Sequence, residues 1–176
     1  VVYSASTLIA DAISSLPPRA LKEADDGTVQ RVPVPQWVRT PHREMRRSLI
    51  WNQLMLSVLL WGNGYALLVR RPSDGVVTGM LPLKPESVTV DWDKKRPGYR
   101  KYRINGGPEL TSYEIFHVQG PTLPGEPKGM SVIRQAREAI ALGLTLEEFG
   151  ARYFAQGSMA KVVITTKAKP DEDTAK

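Results

Sequence analysis

Few residues in this 176-residue chain have the type and spacing to do chemistry. His42 follows Pro41 at an expected helix start, and His117 alternates within Glu114-Ile115-Phe116-His117-Val118. Imidazole changes charge near neutral pH, so either histidine could act as a general base or a metal ligand. Neither belongs to a His-x-x-x-His pair or has an acidic relay, and the chain has no cysteine. Metal-ligand and triad spacings are therefore missing, and His117 reads better as a hydrogen-bonded strand residue. Glu147-Glu148 are neighbours on an expected helix, so they point about 100° apart and cannot face each other across a substrate.

Two glycine-rich segments invite a phosphate-binding reading and fail it. Gly62-Asn63-Gly64 lacks the third glycine of a dinucleotide fingerprint and follows a helix instead of a strand. Gly125-Glu126-Pro127-Lys128-Gly129-Met130-Ser131 has the glycine, lysine and serine of a phosphate loop at the wrong spacing. A basic cluster is the remaining candidate: Lys94, Lys95, Arg96, Arg100, Lys101 and Arg103, interleaved with Tyr99 and Tyr102. Cations and stacking rings on one hairpin are what a nucleic-acid grip uses. An edge hairpin kept soluble by its own lysines and arginines accounts for the same residues and is the preferred reading.

These residues have to be positioned by a core, and its centre is the stretch Leu49 to Arg71. From Leu49 to Trp61 only Asn52, Gln53 and Ser57 are polar, so the helix should be buried around most of its circumference. Spanning lipid takes ~20 apolar residues, and this run is too short and flanked by Arg46 and Arg47. Gly62-Asn63-Gly64 ends the helix, and Tyr65 to Val69 reads as a buried strand. Thr40 is the expected N-cap of this central helix, with Pro41 at its first position.

Around that unit, Ser4 to Leu16 has helical spacing and stops at Pro17-Pro18. Arg19–Lys22 and Val29–Val32 flank Asp25-Asp26-Gly27 as a hairpin, and Pro33 to Trp37 is extended. The turn Pro72-Ser73-Asp74-Gly75 joins the strand from Tyr65 to Val76–Leu81. Ser87 to Trp92 alternates as a half-buried strand, and Asn105-Gly106-Gly107 joins Tyr99–Ile104 to Glu109–Val118. Ser131 should cap a helix running to about Gln156, about 39 Å long at 1.5 Å per residue, with Gly157 as terminator. Ala136, Gly143, Gly150 and Gly157 recur every seven residues, and two glycines inside a helix suggest a close backbone approach. Lys161 to Thr166 reads as a further strand. The fold class expected is α+β: mostly antiparallel sheet and hairpins packed against a buried central helix and one long C-terminal helix.

Length argues for one domain, over residues 1–166. The chain starts without methionine and closes on Lys169-Pro170-Asp171-Glu172-Asp173, the opening of a helix whose body is absent. Residues 167–176 are read as the start of a truncated helix in a longer polypeptide. A net charge of +6 permits a polyanionic partner without requiring one. No targeting segment or membrane span is visible, and no cofactor is implied.

Taken in order, several stretches resemble the N-terminal part of tailed-bacteriophage portal proteins. They are Leu8-Ile9-Ala10 to Leu16-Pro17, Gly62-Asn63-Gly64-Tyr65-Ala66, Leu81-Pro82-Leu83 with Glu86-Ser87-Val88, Glu114 to Val118, Gly129-Met130-Ser131-Val132-Ile133, and Phe154-Ala155-Gln156-Gly157. The family commonly has alanine or another small residue where Gly64 stands. The resemblance implies a structural part without enzymatic activity. It would be one subunit of a homo-oligomeric ring, usually of twelve, at a capsid vertex of the virion. It also implies the capsid protein, the terminase motor and head-completion proteins as partners, with double-stranded DNA passing through the ring and no membrane. Assembly would take place in the host bacterial cytoplasm, with a prophage as an alternative source of the gene. In the family's domain order this region would be mostly the wing, with stem, clip, remaining wing and crown to follow. The alternative reading is an independent nucleic-acid-binding module using Lys94 to Arg103. An enzyme is disfavoured because no nucleophile, base and orienter can be assembled.

Overall fold

A computed structural model describes residues 2–25 and 27–155. It divides at Ala136 into two units. The first opens with helix α1 (Val2–Ser15), a hairpin of β1 (Ala20–Glu23) and β2 (Val29–Val32), a single turn α2 (Gln36–Arg39), and helix α3 (Arg47–Trp61). Strands β3 (Asn63–Arg70), β4 (Val77–Leu83), β5 (Val88–Trp92), β6 (Arg100–Ile104), β7 (Leu110–Thr111) and β8 (Ile115–Gln119) follow, then a short helix α4 (Val132–Gln135). The second unit is described by one helix, α5 (Arg137–Ala155).

Strand β3 is the middle of the first unit. It pairs antiparallel with β4 on one edge and β8 on the other. Its side chains alternate between two cores, as the pleat requires. Tyr65 joins Val88, Val90, Tyr102 and Ile115 under the second sheet, whose order is β5-β6-β7. Ala66 joins Ile50, Leu54 and Met80 under α3, with Trp37, Trp51 and Phe116 partly buried beside them. The result is a helix layer and a second sheet on opposite faces of one central sheet. The expected α+β class holds, with antiparallel sheets throughout.

Several local expectations change. Helix α3 starts at Arg47, and Thr40 instead closes α2, its hydroxyl donating to the Gln36 carbonyl at 3.1 Å. Pro41 is buried, and its carbonyl accepts the Met80 N–H at 2.7 Å. The intervening chain turns on His42, whose Nδ1 accepts the Glu44 and Met45 N–H groups at 3.1 and 3.3 Å. Only Ile50 and Leu54 of α3 are buried, while Leu49 and Trp61 are exposed. An outer-layer helix has one face on the sheet, so an apolar circumference does not become a buried one. Helix α1 covers α3 with its small residues, Ser6, Ala10 and Ser14, and leaves Leu8, Ile9 and Ile13 exposed, as is Leu16 just past its end. The Asp11 carboxylate accepts from the Asn52 amide across that contact at 2.6 Å.

The segment from Glu109 to Val118 is two strands. β7 pairs with β6, but β8 crosses to β3. Glu114 turns the chain between them, its Oε2 accepting the Thr111 N–H at 2.7 Å and the Thr111 hydroxyl. Ser131 caps as expected, its Oγ accepting the Arg134 N–H at 3.2 Å, yet the helix is interrupted at Ala136. Considered by itself, α5 spans 19 residues, about 28 Å. A Cβ added at Gly143 or Gly150 would meet no atom within 4 Å, so the described residues give neither glycine a close neighbour. The expected strand Lys161–Thr166, the terminator Gly157 and the segment 167–176 lie outside the described residues.

Candidate functional site

Polar side chains converge most where α3 ends. Gly62 takes the left-handed conformation, φ 80°, and its N–H bonds to the Val58 carbonyl, which lets the chain leave α3 directly into β3. Three backbone segments cross there. The Gly62 carbonyl accepts the Gly120 N–H at 2.8 Å, and a Cβ on Gly129 would come within 2.2 Å of that same oxygen. Ser131 Oγ donates to the Leu60 carbonyl at 2.7 Å while capping α4. The glycines of Gly62-Asn63-Gly64 and Gly129 are thus there for close approach of backbone to backbone, with no phosphate-loop geometry.

Asn63, 5% exposed, locks the crossing. Its Nδ2 donates to the Gly129 carbonyl and its Oδ1 accepts the Gly129 N–H, both at 2.7 Å. The same Oδ1 lies 3.0 Å from His117 Nε2, and His117 Nδ1 lies 3.3 Å from the Tyr102 hydroxyl. An oxygen at Nε2 and a hydroxyl at Nδ1 are served by a neutral ring with its proton on Nε2, Tyr102 donating to Nδ1. Burial pulls the His117 pKa down to about 4, with the charges of Arg100 and Lys128 acting in the same direction. Burial also raises the phenol pKa values of Tyr65 and Tyr102. Tyr65 lies over the imidazole, ring centres 4.4 Å apart, and Tyr102 meets it edge-on at 5.7 Å. Both nitrogens are engaged and the ring is covered, so this histidine holds β8 to the crossing. The hydrogen-bonded strand reading of His117 is what the geometry shows. Sequence reasoning did not connect Asn63 to it. The available signal was a polar side chain between two glycines at a helix-to-strand exit.

The basic cluster is brought to the β5–β6–β7 sheet and then divided. Lys101 and Arg103 converge on Glu109, whose pKa is lowered first by the Arg103 hydrogen bond and then by Lys101. Asp93 holds the turn below them. It accepts the Lys95 N–H and the Arg96 guanidinium, each at 2.9 Å, and these bonds lower its pKa in that order. Arg96 lies 5.6 Å from the Tyr99 ring, and Arg100 stacks at 5.1 Å over Trp92. Tyr102 is buried, which leaves Tyr99 as the exposed ring of the pair. Lys94 and Lys95 stand exposed at the turn.

Among the described residues there is no group of three or more His, Asp or Glu side chains able to hold a metal ion. None of the described helices is long and apolar enough to cross a membrane. A surface hollow of about 300 Å³, lined by Pro17, Pro18, Val34, Arg39 and Arg47, is separate from both clusters and carries no carboxylate or histidine.

A family model described as phage portal protein matches residues 1–176. A probable portal protein of Streptomyces phage phiC31 is 30% identical over 185 residues, covering 98% of this chain and 40% of its own length. The portal protein of Enterobacteria phage HK97 is 28% identical over 130 residues, covering 74% of this chain and 30% of its own. The chain therefore spans less than half the length of these relatives. Among solved structures, the neck of an empty gene transfer agent particle, computed with C6 symmetry, superimposes with a TM-score of 0.66 at 19% identity. It covers 99% of this chain and 54% of that one. An HK97-family phage portal protein from Corynebacterium diphtheriae gives 0.63 at 18% identity, over 98% and 53%.

Proposed function

This chain belongs to the phage portal protein family, and on that premise we propose that it is the wing region of one subunit in a ring at the capsid vertex. Double-stranded DNA is packaged and ejected through that ring. The wing-like domain covers residues 1–166 and works by shape and contact, without catalysis. The observation that carries this reading is the family match over the full 176 residues. The α3–Gly62–β3 crossing adds a physical argument: a ring sector has to transmit load, and a crossing closed by backbone bonds and an amide bonded through both its nitrogen and its oxygen resists deformation. The neck of one gene transfer agent particle is computed with C12 symmetry, which supports twelve copies around the axis. In this reading the partners are the neighbouring copies, the capsid protein, the terminase motor and head-completion proteins. The virion is the place of action, after assembly in the host bacterial cytoplasm.

Electron microscopy of the complete gene product tests this. Closed rings of about twelve subunits, the heterologous contact of cyclic symmetry, are the expected result. A particle that stays monomeric at every concentration overturns it. The alternative, a nucleic-acid-binding module using Lys94, Lys95, Arg96, Arg100, Lys101 and Arg103, makes a different forecast. Residues 1–176 alone would then bind double-stranded DNA with steep salt dependence, and charge reversal at Lys94, Lys95 and Arg96 would weaken it. Lys101 and Arg103 already share the Glu109 carboxylate and Arg96 the Asp93 carboxylate, so the portal reading expects weak, non-specific binding there.

A further inference from the structure

The chain has two Asn-Gly pairs, Asn63-Gly64 and Asn105-Gly106, and the fold treats them in opposite ways. A glycine after asparagine leaves the next backbone nitrogen unshielded by any side chain. That nitrogen can then reach the asparagine's own side-chain carbonyl. We propose that Asn105 is a site of spontaneous deamidation through a cyclic imide, and that the crossing at the end of α3 protects Asn63 from the same reaction.

In the first step the Gly106 nitrogen attacks Cγ of Asn105. The new N–C bond closes a five-membered succinimide, the Cγ–Nδ2 bond breaks, and the Gly106 N–H proton leaves with the amide as ammonia. Water then opens the ring at one of its two carbonyls. One opening gives aspartate, the other isoaspartate, in which the main chain runs through the side-chain carbon. No electrons are transferred, and an NH is exchanged for an O.

The turn at Asn105 leaves these atoms accessible. Asn105 and Gly106 have φ of 49° and 72°, and both are exposed. The pair of positive values, with the Gly107 N–H bonded to the Ile104 carbonyl at 2.9 Å, is a type I′ turn. It is Gly107 that donates there, and the Gly106 N–H has no backbone acceptor among the described residues. A Cβ at Gly106 would meet nothing within 4 Å, so the surroundings are open. The Asn105 amide has no partner among the described residues.

Asn63 is held at both ends of its amide. Nδ2 bonds the Gly129 carbonyl, and Oδ1 bonds the Gly129 N–H and His117. Gly64 lies inside β3, where even a Cβ would come within 2.7 Å of the Leu54 carbonyl. Turning Cγ toward the Gly64 nitrogen would break every one of those bonds. The reaction at Asn63 therefore waits for local opening, and its rate falls by the opening equilibrium constant.

Isoaspartate at 105 adds a main-chain carbon to a turn that must also place the Asn105 N–H on the Ser87 carbonyl at 2.8 Å. The product loosens the β5–β6–β7 sheet and adds a negative charge to the exposed turn that follows β6, so surface chemistry here changes with age.

The test uses the unmodified chain. Aliquots held at mildly alkaline pH, folded or in concentrated urea, are digested and mapped by mass, with isoaspartyl-specific methylation to distinguish the two products. In the folded protein Asn105 converts at least about tenfold faster than Asn63, and urea brings the two rates within about threefold of each other. Equal conversion of both in the folded protein overturns the proposal, as does an Asn105 that persists as long as Asn63. A rate difference that survives urea overturns the protective role of the fold.

Discussion

Replacing Asn63 with alanine removes one amide and orphans three groups packed around it. Those are the Gly129 N–H, the Gly129 carbonyl and His117 Nε2–H, bonded at 2.7, 2.7 and 3.0 Å. The contact to the Trp61 carbonyl at 3.4 Å is too long to count. An unmet buried donor or acceptor costs about 1–3 kcal/mol. Water entering the vacated space recovers part of that, so the expected loss is about 3–5 kcal/mol, at the severe end for single substitutions. A domain is stable by only about 5–15 kcal/mol in total, so such a loss is easily measured. Equilibrium urea denaturation followed by far-ultraviolet circular dichroism reads it as a fall in midpoint at constant slope. Asn52→Ala is the matched control, since it loses one exposed bond to Asp11 and should cost no more than about 1 kcal/mol. The double variant Asn63→Ala/His117→Ala should cost less than the sum of the singles, because each single already breaks the bond the two residues share. If Asn63→Ala and Asn52→Ala cost the same, the crossing is not what holds β8 and the Gly129 segment to α3.

Gly129→Ala should cost about 3 kcal/mol or prevent folding, because its Cβ would meet the Gly62 carbonyl oxygen at 2.2 Å. Gly143→Ala, in open space within α5, should stabilise helix by up to about 1 kcal/mol, and thermal melts of the pair give opposite signs. For His117 the folded pKa is about 4 against an ordinary 6.5, so the unfolded chain binds more protons between those values and stability falls as pH drops through that window. Discounted for the ring's remaining solvent contact, the loss is about 1–2 kcal/mol. Denaturation midpoints from pH 7 to 4 should show it, and His117→Phe should flatten the profile. Leu54→Asp should abolish folding, since Leu54 is 2% exposed and an unpaired buried carboxylate costs several kcal/mol. Leu59→Asp, on a half-buried face, should leave a soluble protein with a lowered cooperative melt.

Local chemistry was legible wherever one residue type forces one backbone. Gly62 at the helix exit, Ser131 as a cap, Pro17-Pro18 after α1, the hairpin β1–β2 and the β3–β4 turn are all set by neighbours a few residues apart. Thr40-Pro41 carries the signature of a helix start, yet α3 begins only at Arg47. Here Pro41 is instead committed to the sheet through its bond to Met80. The turn before Arg47 is made by a histidine ring, which no capping rule anticipates. Likewise Glu109 to Val118 has the local pattern of a single strand, and only the competition between β3 and β6 for partners splits it.

By itself, then, the sequence determined the class of fold, the helix-glycine-strand centre and the family, because periodicity, turn residues and motif order are written along the chain. Tertiary structure alone decided which faces were covered and which charges were spent. Helix α1 buries serines and alanine while its leucine and isoleucines face out, and four of the six cations in the basic segment take partners from Asp93, Glu109 and Trp92. Asn63 and His117 lie 54 positions apart and become one hydrogen-bonded unit only when β8 pairs with β3. Burial and pairing depend on what arrives from a distant part of the chain, and that information is not contained in any local window.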